Sequence, residues 1–122
     1  FGKNDKRMKL INILKINFKK NKTTHIVSKK LFLNLLNVLD IQNAVDLILK
    51  KKIKPDTYVL KNNVNYSISD IINKINKDSQ KKIKIKWLSN KILKEKIYNY
   101  KQIKKWQPNS SKIQDIVDLI RR

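Results

Sequence analysis

Few side chains in this 122-residue chain could make or break a covalent bond. The single histidine, His25, lies between Thr24 and Ile26 with no carboxylate near it in sequence. It lacks the partner that orients and tunes a general base, and reads as an exposed or backbone-bonded loop residue. Asp115 and Asp118 stand three apart, as a paired-carboxylate site on a helix would require. Ile113, Ile116 and Ile120 take the other face of the same helix, so the two acids read as solvated charges. There is no cysteine, hence no thiolate nucleophile, no disulfide framework and no thiolate metal site. One histidine rules out a two-His zinc site, and one glycine, Gly2, rules out a glycine-rich phosphate loop or a dinucleotide fingerprint. The expectation is no catalysis, no metal, no cofactor and no small-molecule substrate.

Lysine is the residue type present in excess. Lys+Arg number 30 against 9 Asp+Glu, a formal net charge of +21. Lys outnumbers Arg 27 to 3, and richness in Lys, Asn and Ile is typical of an A+T-rich coding sequence. Drift of that kind should also supply acids, which stay few. The charge is uneven as well. Residues 1–30 carry a net +9, 31–80 a net +2, 81–107 a net +9 and 108–122 a net +1. Two basic arms around a near-neutral centre suit a polyanion, because each lysine that meets a phosphate releases a counterion. The candidate nucleic-acid-binding residues are Lys19, Lys20, Lys22, Lys29 and Lys30 in the first arm. In the second they are Lys81, Lys82, Lys84, Lys86, Lys91, Lys94, Lys101, Lys104 and Lys105. Lys50, Lys51, Lys52 and Lys54 equally suit the dipole at a helix C-terminus. Lysines are point charges that do not read bases, and three arginines argue against a major-groove reader. Trp87, Tyr98 and Trp106 could stack on unpaired bases, although such residues more often pack at a core boundary.

These lysines need elements to hold them. Apolar spacing predicts helices over 5–19, with Asp5 as cap, over 29–39 and over 41–51. Lys54-Pro55-Asp56 is a break. Residues 57–66 are ambiguous, and Ser67 precedes a helix over 68–77. The alternation Lys82-Ile83-Lys84-Ile85-Lys86-Trp87 reads as extended. A long basic helix is expected over 90–106, and Ser111 with Gln114 forms a capping-box pattern before a last helix over 112–121. The fold class expected is all-α, five to six helices around one core, with at most a tiny two-stranded patch. Residues 1–80 would form the helical core, with 81–122 packed on it. The longest uninterrupted apolar run is three residues, so no membrane span is expected.

Phe18, the twelve residues Lys19 to Lys30, and Leu31 resemble an EF-hand unit: an aromatic before the loop, Ile26 at its eighth position and an apolar residue after it. A second unit would use Thr57 to Ile68 as loop, with Val64 in eighth place. The resemblance spans residues 8–77 and implies two eighth-place residues paired in a small sheet. The calcium ligands are missing. The last loop positions hold Lys30 and Ile68, and the sixth hold Thr24 and Asn62, so the resemblance implies a calcium-independent scaffold. Taken together, these readings lead to the expectation of a non-catalytic structural RNA-binding protein. Its place would be in a ribosome among neighbouring proteins, with lysines on rRNA phosphates. A chain opening on Phe1 would suit removal of a targeting segment and an organellar, mitochondrial location. The alternatives are an EF-hand-like module gripping an amphipathic helix, and a DNA-binding accessory domain.

Overall fold

Three amphipathic helices build the core of the protein, whose computed structural model describes all 122 residues. Helix α1 (Leu10–Lys19) buries Ile11, Leu14 and Phe18, spaced three and four apart along one stripe. Helix α3 (Ile68–Lys77) buries Ile68, Ile71, Ile72 and Ile75, and helix α4 (Ile113–Arg121) buries Ile116, Val117, Leu119 and Ile120. Helix α4 packs on both α1 and α3, and Ile26 and Ile83 complete the same apolar cluster. Each such side chain, taken fully from water, contributes about 1.5–3 kcal/mol of transfer free energy. The remaining helix, α2 (Val38–Lys51), buries only Asp40 and Ala44, and leaves Val38, Val45 and Leu49 exposed.

Five short strands form two sheets. Strand β1 (Thr24–Ile26) pairs in parallel with β4 (Ile85–Trp87). Strand β2 (Leu31–Leu33) lies between β3 (Tyr66–Ser67), antiparallel, and β5 (Leu93–Lys94), parallel. The protein is therefore a mixed α/β fold with four helices, not the all-α bundle of five to six that periodicity suggests.

Two expected helices are absent, for one reason. Leu31 to Leu39 has a helical apolar pattern, yet Leu31–Leu33 is a strand and the following helix starts at Val38. Residues 90–106 also carry a helical stripe, yet the amides of Leu93 and Glu95 donate to the carbonyls of Lys30 and Phe32. Farther on, the Val59 amide donates to Lys101. Each segment finds its backbone partners about sixty or forty residues away, and tertiary pairing overrides local propensity. The stretch from Phe18 to Leu31 is helix, strand and start of a second strand, and Ile26 pairs with Trp87, while Val64 lies outside every strand. At 81–87 the extended reading coincides with β4, so residues 81–122 join residues 1–80 through a shared sheet as well as through α4.

A buried polar junction locks α2 to the segment before α4. The Asp40 carboxylate, 1% exposed, accepts from the Asn109 and Ser110 amides at 2.9 and 3.0 Å and from the Ser111 hydroxyl. The Ser111 hydroxyl oxygen accepts from the Asn37 amide at 2.7 Å, and its carbonyl accepts from the Asn62 side chain at 2.7 Å. Ser111 is thus used here and not as a helix cap. The first turn of α4 is closed instead by Asp115, whose carboxylate accepts from the Lys112 amide at 2.9 Å. Asp5 likewise does not cap α1, which begins at Leu10. Asp5 binds the Arg7 guanidinium, and that fork holds its carboxyl well below the usual carboxylate range.

Candidate anion-binding edge

The two parallel strand pairs belong to one ribbon. Between β1 and β2 run residues 27–30, and beside them, between β4 and β5, run residues 88–92. Rungs link the two segments along their length. The Leu88 amide donates to Ile26 at 2.9 Å, the Ser89 hydroxyl to Val27 at 2.8 Å, and the Lys29 amide to Ser89 at 3.0 Å. The buried Ser28 hydroxyl donates to the Lys91 carbonyl and accepts from the Lys30 amide at 3.1 Å. Partner offsets change from 61 residues in the first pair to 62 in the second. The 88–92 side therefore carries one extra residue, the two-against-one count of a bulge, which turns the ribbon from one sheet to the other.

This crossing sets Lys29 and Lys30 on one segment beside Lys91 and Lys94 on its neighbour, all four exposed. The molecule has three ion pairs, and they use Arg7, Lys74 and Lys101. None of the four edge lysines has a carboxylate within ion-pair reach. The nearest acid in sequence, Glu95, is engaged by the Asn34 amide at 2.9 Å. The edge is tied to the core by the Ser69 hydroxyl at the start of α3, which donates to the Lys29 carbonyl at 2.7 Å. Past Lys94 the surface continues into a shallow groove of about 360 Å³ walled by Asn34, Glu95, Tyr98 and Tyr100. Tyr98 and Tyr100 are both exposed, with ring centroids 6.2 Å apart. Uncompensated cations beside aromatic rings can hold a phosphorylated ligand that also offers a flat ring.

The other expected ligands are dispersed. Lys81 lies over the Phe18 ring, 5.2 Å from its centroid, and donates to the Lys19 carbonyl at 3.1 Å. Lys82 donates to the Asn76 carbonyl near the end of α3. Both close helix ends and do not present a free ammonium. Lys19, Lys20 and Lys22 follow α1, while Lys84 and Lys86 point outward from the β4 strand region, with Lys86 opposite His25. Lys101, Lys104 and Lys105 lie on a separate turn, against Lys51 and Lys54. Trp106 is spent on structure, since its indole N–H donates to the Asp40 carbonyl at 3.0 Å. Helical periodicity makes Ser28 and Ser89 helix caps and gives Asn34 no role, because their partners are about sixty residues distant and only the pairing of two strand segments reveals them.

No family model matches the chain, and no curated protein matches it. Among solved structures, it is similar to dTDP-glucose 4,6-dehydratase from Bacillus anthracis str. Ames in complex with NAD, at 18% identity and a TM-score of 0.67. The match covers 98% of this chain and 41% of that one, so the chain spans well under half the length of the dehydratase. The expectation of a ribosomal RNA-binding protein is corrected here. The fold is similar to part of that dehydratase chain, and the lysines predicted to line one phosphate-binding face are split among separate places, two of them turned onto helix ends. Nothing in the fold or in this likeness supports the helix-gripping or DNA-binding alternatives. At this level of identity the likeness establishes the fold.

Proposed function

We propose that this chain is the nucleotide-sugar-binding part of a dehydratase-type enzyme. In this reading it holds the ligand's diphosphate along the edge of Lys29, Lys30, Lys91 and Lys94. The observation that carries this is the likeness to a dTDP-glucose 4,6-dehydratase over nearly the whole chain, with those four lysines gathered without counter-charge on one ribbon. The ammonium groups would neutralise the phosphates as point charges, and the groove at Tyr98 and Tyr100 would receive the flat base. The NAD named with that dehydratase has no cradle in this chain. A dinucleotide site of the strand-turn-helix kind needs several glycines for close backbone approach, and the single glycine here, Gly2, packs against Val38. Binding the sugar nucleotide, with the chemistry supplied elsewhere, is the role that suits these residues.

Calorimetric titration of the chain with dTDP-glucose tests this. Saturable binding is expected, weakened about a hundredfold by the combined Lys29→Gln, Lys91→Gln and Lys94→Gln substitutions, since each lost close charge pair costs about 1 kcal/mol. NAD is expected to give no saturable heat. Absence of dTDP-glucose binding at about 5 mM, which corresponds to less than about 3 kcal/mol of affinity, would remove the proposal.

A further inference from the structure

We propose that the cleft between the end of α2 and the turn at 101–105 is a second, separate anion site that takes an oligophosphate, two or more linked phosphoryl groups. The cleft encloses about 680 Å³ and is lined by Lys51, Lys54, Lys101, Lys104 and Lys105, with Tyr58 on its wall. One of these five lysines, Lys101, is paired with a carboxylate. Asp56 accepts from the Lys101 ammonium at 2.6 Å and from the Thr57 amide at 2.7 Å. The hydrogen bond between Asp56 and Lys101 holds the carboxyl below and the ammonium above their ordinary ranges. The other four lysines have no acid within ion-pair reach. Like charges converging on a concave surface focus the field, and an anion that enters relieves their repulsion. A linked pair of phosphoryl groups brings more charge and a longer reach than a lone phosphate, which suits lysines drawn from two separate segments.

The backbone supplies an independent observation. Three residues other than glycine have positive φ: Asn21, Lys52 and Lys105. Asparagine tolerates that region, but lysine is strained there by its Cβ. Lys105, at φ 67°, lines the cleft, and Lys52, at φ 46°, adjoins it at the end of α2. Strained backbone carrying the side chains that a ligand would use is characteristic of binding sites. The cleft shares no lysine with the edge assigned to the nucleotide sugar, and Tyr58 alone borders both the cleft and the groove at Tyr98 and Tyr100, so the lysine substitutions let either assignment fail alone.

The test is titration of the chain with pyrophosphate, orthophosphate and dTDP-glucose. Lys104→Gln with Lys105→Gln should weaken pyrophosphate about tenfold and leave dTDP-glucose within about twofold, as expected for two removed close charges. Asp56→Asn frees Lys101 and removes the one opposing charge, and should tighten pyrophosphate several-fold. Lys105→Gly relieves the left-handed strain, and should raise Tm by about 3–6 °C while weakening pyrophosphate. That opposition of stability and binding is not expected of a merely structural lysine. Pyrophosphate affinity indifferent to all three variants, or lowered equally by the edge substitutions, would overturn the site. Orthophosphate binding as tightly as pyrophosphate would overturn the ligand class. If esterified and free diphosphate both bind here, dTDP-glucose will retain a second event when the edge lysines are removed.

Discussion

Asp40 shows how one buried charge can organise a junction. Its carboxylate gathers two amides and a hydroxyl from residues 109–111, and its carbonyl accepts from the Trp106 indole. The two amides and the hydroxyl satisfy the charge that burial would otherwise make costly. Replacing Asp40 by Ala leaves the donors unpaired in a dry site and should cost about 3–5 kcal/mol. The denaturation midpoint would then fall sharply. Ser111→Ala removes the hydroxyl that links Asn37 to Asp40, and should cost about 1–3 kcal/mol. A change below about 0.5 kcal/mol in either variant would show that the junction is ornamental.

At the scale of elements, α2 and α3 make opposite predictions from similar sequences. Each has isoleucine, leucine or valine in a helical pattern, but Ile75 of α3 is fully buried, whereas Leu49 of α2 is 71% exposed. Ile75→Ala should cost about 2–5 kcal/mol through lost transfer energy and the cavity left behind. Leu49→Lys should change stability by no more than about 0.5 kcal/mol. Equal effects, read from urea midpoints, would contradict this division of the helices.

The same contrast explains what could be read in advance. The helix at 68–77 and the one at 112–121 were legible because Ile68, Ile71, Ile72 and Ile75, and Ile116, Val117 and Ile120, form a stripe that a neighbouring helix covers. Strand β4 was legible from the alternation of Lys and Ile. The stripe at 90–106 misled, because a helix needs its apolar face covered and this segment leaves Ile92 and Tyr100 exposed. Its backbone is claimed instead by Lys30, Phe32 and Val59. The candidate edge shares that obscurity. Lys29 and Lys91 are strangers in sequence and become neighbours only through two strand pairs whose partners local periodicity cannot identify.

For the whole molecule, a net charge of +21 is a burden that solvent ions lighten. Raising sodium chloride from about 0.02 to 0.5 M shortens the Debye length from roughly 20 Å to under 5 Å, and should raise Tm by several degrees as self-repulsion fades. Affinity for dTDP-glucose should fall over the same range, so stability and binding are expected to move in opposite directions. A Tm that stays flat, or falls, across that series would mean that the lysines are too far apart to repel one another. No helix is long and apolar enough to cross a membrane.

The parallel pairing of residues 24–33 with 85–94 also dictates an order of events during biosynthesis. A growing polypeptide that has reached Gln80 holds β1 without its mate, β2 with only the short antiparallel rung of β3, and α1 without the helix that covers it. Its isoleucine-rich faces stay bare until residues 81–122 arrive, because the closing partners are encoded downstream. Translation speed and chaperone supply over that interval will govern how much of this protein reaches its native form.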